Sequence, residues 1–354
     1  MSGPDLAITV VTPTCEPYLR EKQFVEAVPY ILRKFCYQIP SAAAFASETR
    51  FIRSLDQFDA VYLFPGFSQW VLKKVANEAK PIFLERINCH TVTAKTILDE
   101  AYSRLGLEPC HTITVESAAR ETEDISFADY IFCPSSEVLK SYAVAGISKE
   151  KLIQSTYGWS PDRFQSRFLT KPHAGSRHCV FLFVGYLSVR KGTHLLLRAW
   201  EKAGINGKLV LVGNMEPAIE KACSNVLNRP DVAWHKYSSD VGKAYAEADV
   251  FAFPSLEEGS PLVTYEAMAH GLPMLVSPMA AGEIVRDRID GMVIPPYDEE
   301  SWIEALRKFS MNPDLRQHCG DSARRRMDEF TWEKVGRRRA AEIVKRMDRR
   351  APIF

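Results

Sequence analysis

No stretch of this sequence approaches the roughly 20 consecutive apolar residues that a membrane-spanning helix needs. Residues 1–11 carry Asp5 where a secretory leader would carry basic residues, and their apolar run is too short for a leader. An excess of one charge is missing as well. Lys and Arg number 45 and Asp and Glu 44, a net charge of +1, so no global field selects nucleic acid. The eight cysteines (15, 36, 89, 110, 133, 179, 223 and 319) are scattered with no C-x-x-C pair. That argues against a zinc site or a disulfide framework and fits a reducing compartment, so a cytoplasmic location is expected. Glycine is absent between Gly3 and Gly66. The turn after the first apolar run reads T-P-T-C-E-P-Y, which excludes a glycine-rich dinucleotide fingerprint there.

What is present is an ordinary globular composition, 46% hydrophobic and 25% charged, over 354 residues, enough for two domains. Strand and helix patterns alternate, which predicts an α/β fold with parallel, doubly wound sheets. In the first half, strands are expected over 6–11, 60–64, 81–84, the run before Pro134, and 151–155. Helices are expected over 20–35, 67–79, from Thr91 to near Gly106, and after Ser135 or Ser136 to Gly146. Residues 171–177 read as a linker. The second half restarts with a strand over 179–184 and a helix from Thr193, with Leu195, Leu196, Ala199 and Trp200 facing inward. Strands follow at 208–212, 232–235, 249–253, 274–277 and from Gly291, and a helix at 240–248. Three helices close the chain at 298–310, 313–327 and 332–347. Residues 316–350 hold 12 Lys and Arg against 6 Asp and Glu. Solvated helix faces explain that excess, and contact with anionic lipid is the alternative.

The most informative stretch is F-P-S-L-E-E-G-S-P-L-V-T-Y-E-A-M-A-H-G-L-P, residues 253–273. It reads as strand, tight turn, helix and stop. Ser260 offers an N-cap hydroxyl and Pro261 suits the first helical position. Leu262, Ala267 and Met268 suggest an apolar stripe, Gly271 a left-handed cap, and Pro273 forbids continuation. A helix start presents free N–H groups and partial positive charge, and Gly259 lets backbone approach a ligand. Glu258 stands just before that helix and Glu266 five residues past Pro261, roughly 7.5 Å along the axis. Two carboxylates flanking an anion site suit a nucleotide-sugar. The amides of Leu262 and Val263 would take the diphosphate, and the carboxylates would accept sugar and ribose hydroxyls.

The E-G-S-P-L-V-T-Y-E-A-M-A-H-G-L-P segment, with seven residues between Glu258 and Glu266, resembles the E-x7-E segment of retaining glycosyltransferase family 4. The resemblance implies a GT-B fold, two Rossmann-like domains facing a cleft. The expected boundaries are 1–172 for an acceptor-side domain and 173–334 for a nucleotide-sugar domain. Residues 335–354 are expected as a final helix that crosses back. G-Y-L-S-V-R-K-G resembles the family's V-G-R-L-x(n)-K-G, with Lys191 on the lysine and Tyr186 where an arginine is usual. Arg190 is the neighbouring candidate for the diphosphate, where cations stabilise a leaving group.

The same resemblance implies that Glu258 orients the sugar and Glu266 holds the ribose. Gly259 and Ser260 complete the donor turn, and Tyr237 borders the base. His90 is the match for a first-domain histidine that contacts the donor sugar. His90 capping the following helix is the equal alternative. The implied reaction moves a sugar from a UDP- or GDP-sugar to a hydroxyl of a glycan, lipid-linked or small acceptor, with retention. No pair has the D-x-D spacing of metal-dependent transferases, so no metal is expected. Two other readings fit the same residues. One is a sugar-nucleotide epimerase or inverting transferase on the same fold. The other is a degenerate, non-catalytic sugar-binding or scaffold protein, which Tyr186 and the glycine-poor first turn favour.

Overall fold

A computed structural model describes residues 6–15, 23–160, 178–238 and 240–348. Among the described residues twelve strands run β1 (Val10–Thr12), β2 (Phe24–Glu26), β3 (Val61–Leu63), β4 (Ile82–Glu85), β5 (Tyr130–Cys133), β6 (Leu152–Gln154), β7 (Cys179–Val184), β8 (Gly207–Val212), β9 (Val232–His235), β10 (Val250–Phe253), β11 (Met274–Val276) and β12 (Gly291–Val293). They form two fully parallel main sheets. One has the order β3-β4-β5-β6, the other β12-β11-β10-β7-β8-β9. Parallel sheets must be covered on both faces, which explains the continuous burial of β4 and β10. The expected boundary at 172 and the linker at 171–177 lie outside the described residues.

The second sheet is the better-built half. From β7 the chain moves outward through β8 and β9, then returns to β10 on the other side of β7. The registers are Phe181 opposite Val250 and Phe181 opposite Leu209. That reversal between β7 and β10 opens a crevice at their carboxyl ends, the place where open α/β sheets bind ligands. Helix Thr193–Ala203 buries Leu196, Leu197, Ala199 and Trp200 against the sheet.

Two expectations in the first half fail. Residues 6–11 do not form a buried strand of the main sheet. Only Val10–Thr12 is extended, Val10 is 38% exposed, and the strand pairs with β2 alone. Nor do 20–35 form one helix. Their described part holds β2, a turn of 3-10 helix at Tyr30–Leu32 and the start of a short helix at Arg33–Gln38. Pro29 has no N–H and biases Val28 away from helical angles, which divides the segment despite its apolar spacing.

The last helix, Trp332–Asp348, lies on the first sheet. Ile343 packs with Phe83, Phe132 and Ile153, with Met347 beside them. It begins at Trp332, so 334 falls inside it. Arg339 on this helix is 6% exposed and pairs with Glu85 at the end of β4 and with the Tyr62 hydroxyl. Burial pushes the Glu85 carboxyl up, while Arg339 opposes that rise. Several neighbouring basic residues also have partners within the chain. Arg326 donates to the carbonyls of Ile284 and Glu283, Arg338 to that of Glu329, and Arg337 pairs with Glu333. No helix among the described residues is long and apolar enough to cross a membrane.

Candidate functional site

A cavity of about 600 Å³ opens at the carboxyl ends of β7 and β10. Val184, Gly185 and Tyr186 form one wall and Phe253 and Glu258 the next. The start of helix Leu262–Ala269 and the start of helix Val241–Glu247 close it, and Lys191 and Glu266 supply charge.

Local sequence explains each placement. Gly192 has φ +66°, and a Cβ there would stand 2.0 Å from the Pro254 carbonyl oxygen. Only glycine lets the turn that carries Lys191 lie against the loop after β10. The Lys191 ammonium pairs with Glu258, which also accepts from Ser255 Oγ at 3.0 Å. Glu258 is 5% exposed, so the lysine supplies the countercharge a buried carboxylate requires.

Helix Leu262–Ala269 differs from its expected form at the start. Its N-cap is Pro261, which has no side-chain acceptor to offer. Ser260 does not cap it, because the Ser260 hydroxyl is bonded to the Tyr265 hydroxyl at 2.7 Å. The first helical amides therefore receive no side-chain cap, and Leu262 and Val263 line the cavity. Such a terminus presents N–H groups and partial positive charge to an anion. The stripe expected at Leu262, Ala267 and Met268 is not one-sided either. Residues 264–269 are buried all round, whereas Leu262 is exposed. Glu266 tolerates this burial because Tyr245 donates its hydroxyl to Oε2 at 2.9 Å. The helix stops as expected. Gly271 is left-handed, and Leu272 and Gly271 donate to the carbonyls of Ala267 and Met268.

Thus Lys191, Glu258, Leu262, Val263 and Glu266 share one cavity. Arg190 does not join them. Its guanidinium Nε lies 2.7 Å from Glu257 Oε2, outside the cavity wall. Consecutive turn residues point apart, so Lys191 lines the cavity while Arg190 turns to Glu257. Tyr237 stands outside the lining at 82% exposure, and Asp240, Val241 and Gly242 take that edge instead. Gly259 and Ser260 belong to the turn beneath the cavity rather than to its wall.

His90 is the N-cap of helix Thr91–Arg104, its Nδ1 accepting from the Val92 amide at 3.3 Å. It is 2% exposed, edge-on to Tyr142, and absent from the cavity wall. Burial lowers its pKa, with Glu121 opposing. The alternative reading of His90 as a helix cap is the one this geometry matches. Its loop nevertheless meets the turn before helix Leu262–Ala269. Cys89 N donates to Glu257 Oε1 at 3.1 Å, and a Cβ on Gly259 would stand 1.6 Å from the Ile87 carbonyl oxygen. Glu257 was not singled out from sequence, since two adjacent glutamates give no sign of which one points inward. It is 2% exposed, and burial raises its carboxyl pKa against the pull of Arg190.

Residues 169–326 match the family model of glycosyl transferases group 1. This stretch is a glycosyl transferases group 1 domain. It covers every residue that lines the cavity. A curated relative, a D-inositol 3-phosphate glycosyltransferase of Saccharomonospora viridis, is 32% identical over 97 residues, 27% of this chain and 22% of its own. The chain spans less than half the length of the first curated relatives it matches. Among solved structures, the sucrose-phosphate synthase of Thermosynechococcus elongatus superposes with a TM-score of 0.66 at 20% identity, covering 87% of this chain and 80% of that one. The Anabaena protein HepE in complex with UDP-glucose superposes with a TM-score of 0.62 at 14% identity, covering 85% and 82%. These likenesses show the GT-B fold, here with parallel sheets of four and six strands.

Proposed function

We propose that the protein is a retaining glycosyltransferase that moves a sugar from a nucleoside-diphosphate sugar to an acceptor hydroxyl. The observation that carries this reading is the single cavity joining Lys191, Glu258, Glu266 and the uncapped amides of Leu262 and Val263. The amides and Lys191 take the diphosphate and stabilise the charge that grows on it as the glycosidic bond breaks. Glu258 orients the sugar and Glu266 accepts the ribose hydroxyls. The base lies against Asp240–Gly242. Uridine diphosphate sugars are the first donors to try, since HepE binds one on the same fold. The acceptor is a hydroxyl compound, free or lipid-linked, approaching from the first half. Charge stabilisation at the diphosphate comes from the chain's own cation and amides, so the reaction is proposed to need no added metal.

The test is product analysis after incubation with nucleotide-sugars and a panel of glycoside acceptors, with and without chelator. Transfer with the anomeric configuration kept, slowed in Lys191→Ala, supports the reading. Inversion, or nucleotide released without transfer, assigns a different reaction to the same cavity. Nucleotide binding with no turnover under any condition points to a binding protein. The pairing of Arg190 with Glu257 and the presence of Tyr186 leave Lys191 as the single side-chain cation in the wall among the described residues, which keeps that second reading worth testing.

A further inference from the structure

A second cavity, of about 360 Å³, lies between the two halves of the chain and shares no residue with the first. Arg104 and Leu105 form one wall, from the end of helix Thr91–Arg104. His194, Leu195 and Arg198, on helix Thr193–Ala203, form the second. Tyr297, Glu299 and Trp302 complete it beside the start of helix Glu299–Met311. Its size falls within the range of small-molecule sites, which favour boundaries between domains.

The chemistry of the walls is specific. His194 is 2% exposed, and its Nδ1 has no hydrogen-bond partner. Burial, with Arg198 adding to it, pushes its pKa down to about 4, so the ring is neutral near pH 7 and one nitrogen can accept. Two guanidiniums face from opposite halves. Arg104 stands 4.3 Å over the Tyr297 ring and keeps Glu100 as its partner at 2.6 Å. Arg198 reaches Glu299 at 3.5 Å, a carboxylate already held by Lys202. Trp302 turns its indole N–H away, to the Pro295 carbonyl at 3.1 Å, and leaves apolar ring surface. Cations from both sides and aromatic faces suit a small anion that carries a ring.

We infer that this cavity is a second ligand site, which takes a small phosphorylated sugar and joins the two halves. Its placement also couples it to the first cavity. Helix Thr91–Arg104 begins at His90, beside the turn that meets Gly259, and ends at Arg104. Helix Thr193–Ala203 begins two residues after Lys191 and carries Arg198 one turn on. One helix thus starts beside the turn that meets Gly259 and ends at the second cavity, and the other follows Lys191 and lines the second cavity from its first turn. A ligand that bridges them holds the halves together and raises nucleotide affinity, and by linkage the nucleotide raises its own affinity equally. The coupling rests on the donor-site reading, whereas the binding does not.

The test is isothermal titration of the full chain with glucose 6-phosphate, with glucose and with inorganic phosphate, each with and without saturating UDP. Glucose 6-phosphate is expected to bind more tightly than either fragment, about tenfold or more, and still to bind when UDP is present. The double variant R104A/R198A changes two exposed arginines, so its fold should persist. It is expected to lose at least tenfold in glucose 6-phosphate affinity while UDP binding by itself stays as in the parent. Competition by UDP would place the sugar phosphate in the first cavity and overturn the inference. So would undiminished binding to the double variant, or no binding to the parent. UDP binding to the parent reports the donor-site reading separately.

Discussion

At the scale of single residues, the donor cavity holds its buried carboxylates with partners from neighbouring elements. Lys191 and Glu258 neutralise one another, and Glu266 leans on Tyr245. Lys191→Ala removes the one side-chain cation in the cavity wall among the described residues. Transfer is expected to fall by about 10²- to 10³-fold, the scale of losing one preorganised group at a developing charge, with a smaller loss in sugar-nucleotide affinity. Steady-state kinetics separates the two effects, and unchanged turnover would remove Lys191 from the diphosphate. Tyr245→Phe removes the hydroxyl that donates to Glu266 Oε2. Nucleotide dissociation constants are expected to rise severalfold, in line with about 1 kcal/mol for one hydrogen bond, and titration with UDP measures it.

At the scale of elements, the last helix is held to the first sheet by one buried ion pair inside an apolar contact. Arg339→Met leaves Glu85 buried beside Tyr62 without its countercharge. A loss of about 3–5 kcal/mol is expected at pH 7, the usual cost of breaking a buried pair. The pH dependence has a definite sign. A carboxyl whose pKa is higher in the fold than in the unfolded chain keeps its proton more readily in the fold. Stability is then full below its ordinary value and falls as pH rises through the folded one. Burial already raises Glu85, and the variant raises it further. Denaturant melts of Arg339→Met should therefore show partial recovery at pH 5 relative to pH 7, and adding Glu85→Gln should flatten that difference. Equal stability at both pH values would show that Glu85 is not the group left exposed to the cost.

The elements also show what a single sequence carries. Strand Cys179–Val184, helix Trp332–Asp348 and the Gly271 stop were legible because local periodicity and capping chemistry decide them. The start of helix Leu262–Ala269 was not. The Ser260 hydroxyl has two possible partners, and the Tyr265 hydroxyl wins it, a choice made by packing rather than by spacing. Residues 20–35 misled for the opposite reason, since helical apolar spacing persisted across Pro29. The pairing of Arg190 with Glu257 and of Cys89 with Glu257 spans 67 and 168 positions, and nothing local announces it.

At the scale of the whole molecule, the donor cavity is built entirely by the second half, whereas the contact that completes the cleft is shared. Gly259→Ala tests that division. A methyl there would stand 1.6 Å from the Ile87 carbonyl oxygen, so the halves must part. UDP affinity is expected to stay within about threefold of the parent, because no cavity wall changes, while transfer falls by at least about 100-fold through misplacement of the first half. Small-angle scattering should show a larger radius of gyration. Parallel loss of UDP binding would contradict the division of labour.

The central claim is that the cavity between β7 and β10 binds a nucleoside-diphosphate sugar. The most direct measurement is thermal shift of the purified protein, without added metal, against a panel of nucleotides and nucleotide-sugars. A ligand that binds only the folded state raises the midpoint, by about 2.7 kcal/mol of stabilisation at one hundred times its dissociation constant. The account predicts a rise with at least one nucleotide-sugar, a smaller rise with its free nucleotide, and loss of both in Glu266→Ala. No rise with any member of the panel, or a rise that survives Glu266→Ala unchanged, would contradict it.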